Sequence, residues 1–244
     1  MSEPGSLIRS LSGRQSARNF HSYVISEIGV GIASGRLAVG SILPNDAEMM
    51  DAYGVSRTVL REALKTLEAK GLVEARAKVG TRVLPKSRWN LFDRQVLSWI
   101  HEAGPDAAFL HSFVEVREAL EIPAAREAAG KRNADDVRMM HYWLKQRRAV
   151  TALPEPFALA EFELHRTICE ASHNPFLRAA TGIVEFGNAQ STVRRLEAGV
   201  TDLAAQKEAL YQALVDAVEH GRPGEAGAAM TEILKVDRDW VLRI

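Results

Sequence analysis

The apolar period of this chain switches from helical to alternating in one place, and that confines it to a mainly α fold. In LVEARAKVGTRVLP, residues 72–85, Val73 and Ala75 alternate against Thr81 and Val83 across a small-residue turn, the pattern of a short hairpin closed by Pro85. Ahead of it, Val24, Ile25, Ile28 and Ile32 recur at helical spacing from His21 to Ser34. Asp46 to Tyr53 makes a short second helix, Gly54 permits a tight turn, and Ser56 caps a third helix running to about Lys70. Helix, helix, turn, helix and hairpin in that order predict a winged helix-turn-helix.

After the polar stretch PKSRWN every segment has helical period, over 91–103, 106–130, 134–150, 157–173, 175–198, 202–220 and 223–242. Asn133 and Thr201 are the expected caps, and Pro123 is expected to kink the long second span. Short connections make this an all-α antiparallel bundle. The expected organisation is a flexible leader over 1–17, a winged helix-turn-helix over 18–86 with three helices and a hairpin wing, and an all-helical domain over 87–244.

Net charge is zero, but residues 1–88 hold 13 Lys+Arg against 8 Asp+Glu, leaving 18 against 23 beyond. The basic surface is therefore N-terminal, where a polyanionic partner would be met. The single cysteine, Cys169, sits in an apolar-periodic segment without a second cysteine to pair with. The start of the chain lacks the apolar run of a secretory signal, and no stretch approaches the roughly 18 apolar residues of a membrane span. A cytoplasmic protein with no membrane partner is the expectation.

Arg57, Arg61 and Lys65 recur four residues apart on the third helix, opposite Leu60, Ala63, Leu64 and Leu67. On a lone helix such a stripe is usually a solvated face. Followed by a hairpin and set in a basic region, it fits double-stranded DNA, whose major groove accepts a helix. Arg57 near the helix start is best placed for bases, Arg61 for base or phosphate, and Lys65 for phosphate.

The stretch GRLAVGSILPNDAEMMDAYGVSRTVLREALKTLEAKGLVEARAKVGTRV resembles the DNA-binding domain of GntR-family transcription regulators almost continuously over residues 35–83. That family joins a Gly-Ser-x-Leu-Pro opening, a Val-Ser-Arg turn, an Arg-Glu-Ala-Leu recognition helix and a Gly-Leu-Val exit to the wing. The resemblance implies that Arg57 and Arg61 contact operator DNA with Ser56 and Thr58 near phosphates, in a homodimer. Asp46 stands where the family usually has Glu, and Lys78 where the wing tip usually has Gly. A lysine there alters the backbone's approach to the minor groove and offers a phosphate contact instead.

In the helical part, Glu161 and His165 share one helix face with Ala158, Ile168 and Ser172. One account is a surface pair worth about 0.3 kcal/mol. The other is a carboxylate and imidazole turned into a bundle, holding a divalent metal or a hydroxylated ligand. Arg117 lies on the interior-patterned face of Phe113, Val116, Leu120 and Ala124, so its charge needs an anion, either Glu121 four residues on or a ligand.

EVREAL to PAAREAA, residues 115–129, and ELHRTICEASHNPFL, residues 163–177, resemble the FadR-type subgroup with its FCD helical ligand domain. RWNLFDRQVLSWI is similar to regulators that answer to galactonate and related sugar acids. The resemblance implies a ligand-responsive repressor sensing a small hydroxylated carboxylate, with Arg117 reaching the carboxylate. Many such domains hold zinc or nickel through one acid and three histidines. Glu161 and His165 match the first two positions, but Tyr211 and Ile233 stand at the others. A phenol with a pKa near 10 and an alkyl side chain are poor ligands at neutral pH. The alternatives are a structural metal despite these losses, an ion held loosely and completed by ligand and water, and a metal-free site in which His165, Tyr211 and Glu161 bond ligand hydroxyls; Asn174 either joins them or caps the next helix.

Two rival functions are a constitutive DNA-binding dimer with no effector and a metal-dependent enzyme using Glu161 and His165. The enzyme lacks a Gly-rich phosphate loop, an HExxH or a GxSxG motif, and leaves residues 35–83 unexplained.

Overall fold

The computed structural model describes residues 5–9 and 20–243 as two compact units, one holding residues 20–105 and the other residues 5–9 and 106–243. Among these residues the chain is mainly helical, with a single two-stranded sheet. None of the described helices is long and apolar enough to cross a membrane.

α1 (Ser6–Arg9) belongs to the second unit. Residues 5–9, expected in a flexible leader, are thus held by structure: Leu7 and Ile8 are buried, and the Leu7 N–H donates to Glu185 at 2.7 Å. Residues 1–4 and 10–17 of that expected leader lie outside the described residues.

The first unit opens with α2 (Phe20–Ala33), whose Val24, Ile25, Ile28 and Ile32 are buried. In α3 (Asp46–Tyr53), Asn45 accepts from the Glu48 N–H while Glu48 reaches back to the Asn45 N–H, a reciprocal capping box. Gly54 ends α3 with φ 64°, the left-handed turn that glycine adopts without strain. α4 (Arg57–Ala69) follows at once, then β1 (Val73–Arg76) and β2 (Gly80–Val83), antiparallel with Val73 opposite Val83 and Ala75 opposite Thr81.

α5 (Arg94–Ala103) packs on α2 in this unit, which therefore runs to Pro105 rather than ending at residue 86. Its buried Val96, Leu97, Trp99 and Ile100 need the apolar face of α2, and the Trp99 indole donates to Ser26 at 3.4 Å.

The second unit contains α6 (Ala107–Lys131), α7 (Ala134–Ala149), α8 (Pro154–Ala171), α9 (Pro175–Ala179), α10 (Thr181–Glu197), α11 (Glu208–Glu219) and α12 (Pro223–Val241). α6 continues through Pro123, and Asn133 caps α7. The core joins Ala125, Leu164, Ile168, Leu214, Met230 and Ile233 from four helices. α10 is buried along Thr181–Thr192, with other helices packed around it.

Two spans differ from expectation. Residues 175–198 divide into α9 and α10 at Ala180, and 202–207 are not helical. Thr201 is no cap: Asp202 Oδ1 accepts from the Ala204 N–H at 3.0 Å, a local side-chain bond that competes with helix formation.

Candidate functional site

Two surfaces carry chemistry, one in each unit. On α4, Leu60, Ala63 and Leu67 are buried while Arg57, Thr58, Arg61 and Lys65 are exposed, so the expected stripe lies on one open helix face. Ser56 Oγ accepts from the Val59 N–H at 3.4 Å and caps that helix. Glu68 accepts from the Ala75 N–H at 3.1 Å, fixing the hairpin to α4, and Arg61, Lys65, Glu68 and Thr81 line a groove between them. Lys65 pairs with Glu62 at 2.8 Å in solvent, which tempers its free charge. Lys78 is exposed at the wing tip with φ 62°, a conformation costly for a residue with a Cβ.

Inside the helical unit lies a buried charge network. Arg117, 2% exposed, donates from Nε to Glu121 at 2.5 Å, from Nη1 to Asp237 at 3.0 Å and from Nη2 to Asn188 at 2.8 Å. A Cβ at position 187 would lie 2.7 Å from that guanidinium, so Gly187 makes its approach to α10 feasible. Burial opposes the Arg117 charge, but Glu121 and Asp237 outweigh it and raise its pKa.

His165 is fully buried, with Nδ1 against Glu121 and Nε2 2.6 Å from the Tyr211 hydroxyl. A carboxylate only accepts, so Nδ1 carries a proton toward Glu121, while Nε2 shares a hydrogen bond with the phenol. Burial, then the Glu161 and Asp237 carboxylates, push the Tyr211 pKa well above its ordinary value, keeping the phenol protonated.

Glu161 pairs with Lys207 at 2.5 Å and Arg147 at 3.5 Å. Asp237 takes the same lysine at 2.6 Å and lies 3.5 Å from Arg195. Burial alone would raise the Glu161 carboxyl; Lys207 and Arg147 overcome this and hold it at about 2. Arg147 also lies over the Tyr211 ring at 4.3 Å. Asn174 accepts from the Phe176 and Leu177 N–H groups as the cap of α9, the alternative its sequence position left open.

Sequence spacing did not single out Lys207, Arg147, Arg195 or Asp237, although all four are buried. A signal was present in the apolar neighbours of Arg147 and Asp237, Leu144 and Leu234, which put each charge near an interior face. Their partners lie on other helices, and one sequence does not reveal such pairings.

The sequence profile described as "Bacterial regulatory proteins, gntR family" matches residues 22–83, and that of the FCD domain matches residues 112–236. The chain belongs to the gntR family, in its FCD-containing branch. It is 30% identical over 218 residues to the galactonate operon transcriptional repressor of Escherichia coli, covering 88% of this chain and 94% of that one. An uncharacterised HTH-type transcriptional regulator of the same organism is 33% identical over 215 residues, covering 85% and 90%. The solved structure of Lar, which controls expression of the Listeria monocytogenes agr system, aligns over 94% of this chain and all of that one, with a TM-score of 0.65 and 17% identity. That last likeness concerns the fold.

As a gntR-family protein the chain is a DNA-binding transcription regulator and not an enzyme. The metal that the FadR-type resemblance implies does not fit these residues. Among the described residues no group of three or more His, Cys, Asp or Glu side chains is placed to hold an ion. Glu161 faces the Lys207 ammonium, both His165 nitrogens are engaged, and Tyr211 and Ile233 replace the remaining ligands. In this structure the Glu161 and His165 side chains are therefore engaged by other protein groups.

Proposed function

We propose that this protein is a dimeric repressor whose helical unit binds a small hydroxylated carboxylate, of the sugar-acid class, and thereby changes the affinity of its paired heads for an operator. The observation that carries the reading is a set of unsatisfied donors. Nη2 of Arg147, Nε of Arg195 and Nδ2 of Asn188 are buried without a hydrogen-bond partner, and Arg147 Nε and Arg195 Nη2 have only a carboxylate 3.5 Å away. Such groups are costly in a dry interior, and guanidiniums match a carboxylate in shape and charge.

Arg117 has all its nitrogens engaged, so the carboxylate role passes to Arg147 and Arg195 while Arg117 holds the framework. Tyr211 and His165, bonded to each other, supply the donor and acceptor that a ligand hydroxyl would join. A constitutive dimer has no use for these donors, since an aliphatic interior would serve it better. The galactonate repressor supports the sugar-acid class by its name, and the probable D-xylose utilization operon transcriptional repressor of Paenarthrobacter nicotinovorans, 30% identical over 82% of this chain, supports repression of a sugar operon.

The test is calorimetry with aldonic acids and the corresponding neutral sugars, paired with gel shifts on the protein's own promoter. Saturable binding of an acid, lost in Arg195→Ala, with an altered DNA affinity is the expected result. DNA binding follows the ligand only if the two head arrangements bind it unequally. Equal binding of acids and neutral sugars would overturn the carboxylate assignment.

A further inference from the structure

Lys207 ends the connection between α10 and α11 with its side chain fully buried. Its Nζ lies 2.5 Å from Glu161 Oε1 on α8 and 2.6 Å from Asp237 Oδ1 on α12, two acids each about 1% exposed. Ser191 donates to the same Asp237 oxygen at 2.9 Å, and the Tyr211 ring centroid is 5.4 Å from Nζ. Two carboxylates brought together out of water repel unless a cation stands between them. Here the chain provides that cation.

We propose that the Lys207 ammonium is the built-in bridging cation of the helical unit, supplying between the buried carboxylates Glu161 and Asp237 the positive charge they need and so making the domain independent of metal. The geometry supports this twice over. One nitrogen bridges the two acids, hydrogen-bonded to Asp237 and ion-paired with Glu161. Arg147 Nε and Arg195 Nη2 also lie 3.5 Å from Glu161 and Asp237 respectively, so a dication entering beside Lys207 would meet three positive charges. The inference holds whichever anion the domain senses, because it concerns the framework and not the ligand.

The experiment uses the full-length chain. Elemental analysis of the purified wild type should find no stoichiometric transition metal, and EDTA, zinc chloride or nickel chloride should move its Tm by less than about 1 °C. Lys207→Ala empties the space between the acids, and zinc or nickel should then raise the variant's Tm by about 4 °C or more. Lys207→Met fills the same space without charge and keeps every surface histidine, so it should show no such rise.

A wild type that carries one equivalent of metal and loses stability in EDTA overturns the proposal. So does a folded Lys207→Ala that responds to metal no more than Lys207→Met. Should Lys207→Ala not fold with any ion, the wild-type measurement decides alone.

Discussion

Arg117 and Asp237 are 120 positions apart in sequence and 3.0 Å apart in space, joining α6 to α12. Asp237 also receives Lys207 and Ser191, and Arg117 also holds Glu121, which in turn faces His165. These groups, drawn from several helices and the connection before α11, thus form one connected interior. Its members are either satisfied, as Arg117 is, or left with donors to offer, as Arg147 and Arg195 are. That contrast is the basis of the proposed ligand site.

Arg117→Ala strands Glu121 and Asp237 with less countercharge in a dry core, a loss of about 3 to 5 kcal/mol by the usual cost of breaking a buried pair. Urea unfolding of the full chain checks this. A loss near the few tenths typical of a surface pair would mean that the network is open to water.

Arg57→Ala and Arg61→Ala should each weaken operator binding by about 1 to 3 kcal/mol if the side chain reads a base. Lys65→Ala should cost less, since Glu62 already neutralises part of that charge. Gel-shift titrations on operator and random DNA at two salt concentrations distinguish the roles: a phosphate contact weakens both DNAs alike and reduces the salt slope. Unchanged affinity in both arginine variants would remove α4 from the DNA-reading role.

Lys78→Gly removes the Cβ from a residue at φ 62° and should stabilise the wing by about 1 kcal/mol. Thermal unfolding measures that gain. Gel shifts on the same variant measure the phosphate contact that the lysine would supply, so the two readouts should move in opposite directions. A variant less stable than wild type would show that the Lys78 side chain, not its backbone, holds the turn.

The head was legible almost residue by residue because its signals are local. Ser56 and Gly54 punctuate α3 and α4, and the alternation of Val73, Ala75, Thr81 and Val83 fixes the hairpin register. In the helical unit the spacing of Glu161 and His165 put both on one face but left open whether that face was a surface or an interior one, and it left Arg117 between Glu121 and a ligand; the structure buries the first pair and joins Arg117 to Glu121. Lys207 was not legible, since it fell inside the span 202–220 expected as helix and its partners come from α8 and α12. Likewise α5 has the same amphipathic period as the bundle helices; only packing on α2 reveals where it belongs.

Acid should loosen the helical unit in a defined window. Burial alone would raise the Glu161 and Asp237 carboxyls, but Lys207 and the neighbouring arginines hold Glu161 at about 2 and Asp237 well below its usual range. Both folded-state values are depressed, so the stability they contribute is present in full above the unfolded value of about 4. It is lost as pH falls from there through the folded values, because the unfolded chain takes up protons first. Each such carboxylate contributes about 1.4 kcal/mol per pH unit within that window. Urea midpoints should therefore stay nearly level from pH 7 to 5 as far as these groups are concerned, then drop steeply toward pH 3. In Lys207→Met, where the chief depressing charge is gone, the folded values lie closer to the unfolded one, so the drop should begin at the same pH but be shallower and smaller in total. An acid limb of equal slope and size in both proteins would show that Lys207 does not hold these carboxylates ionised.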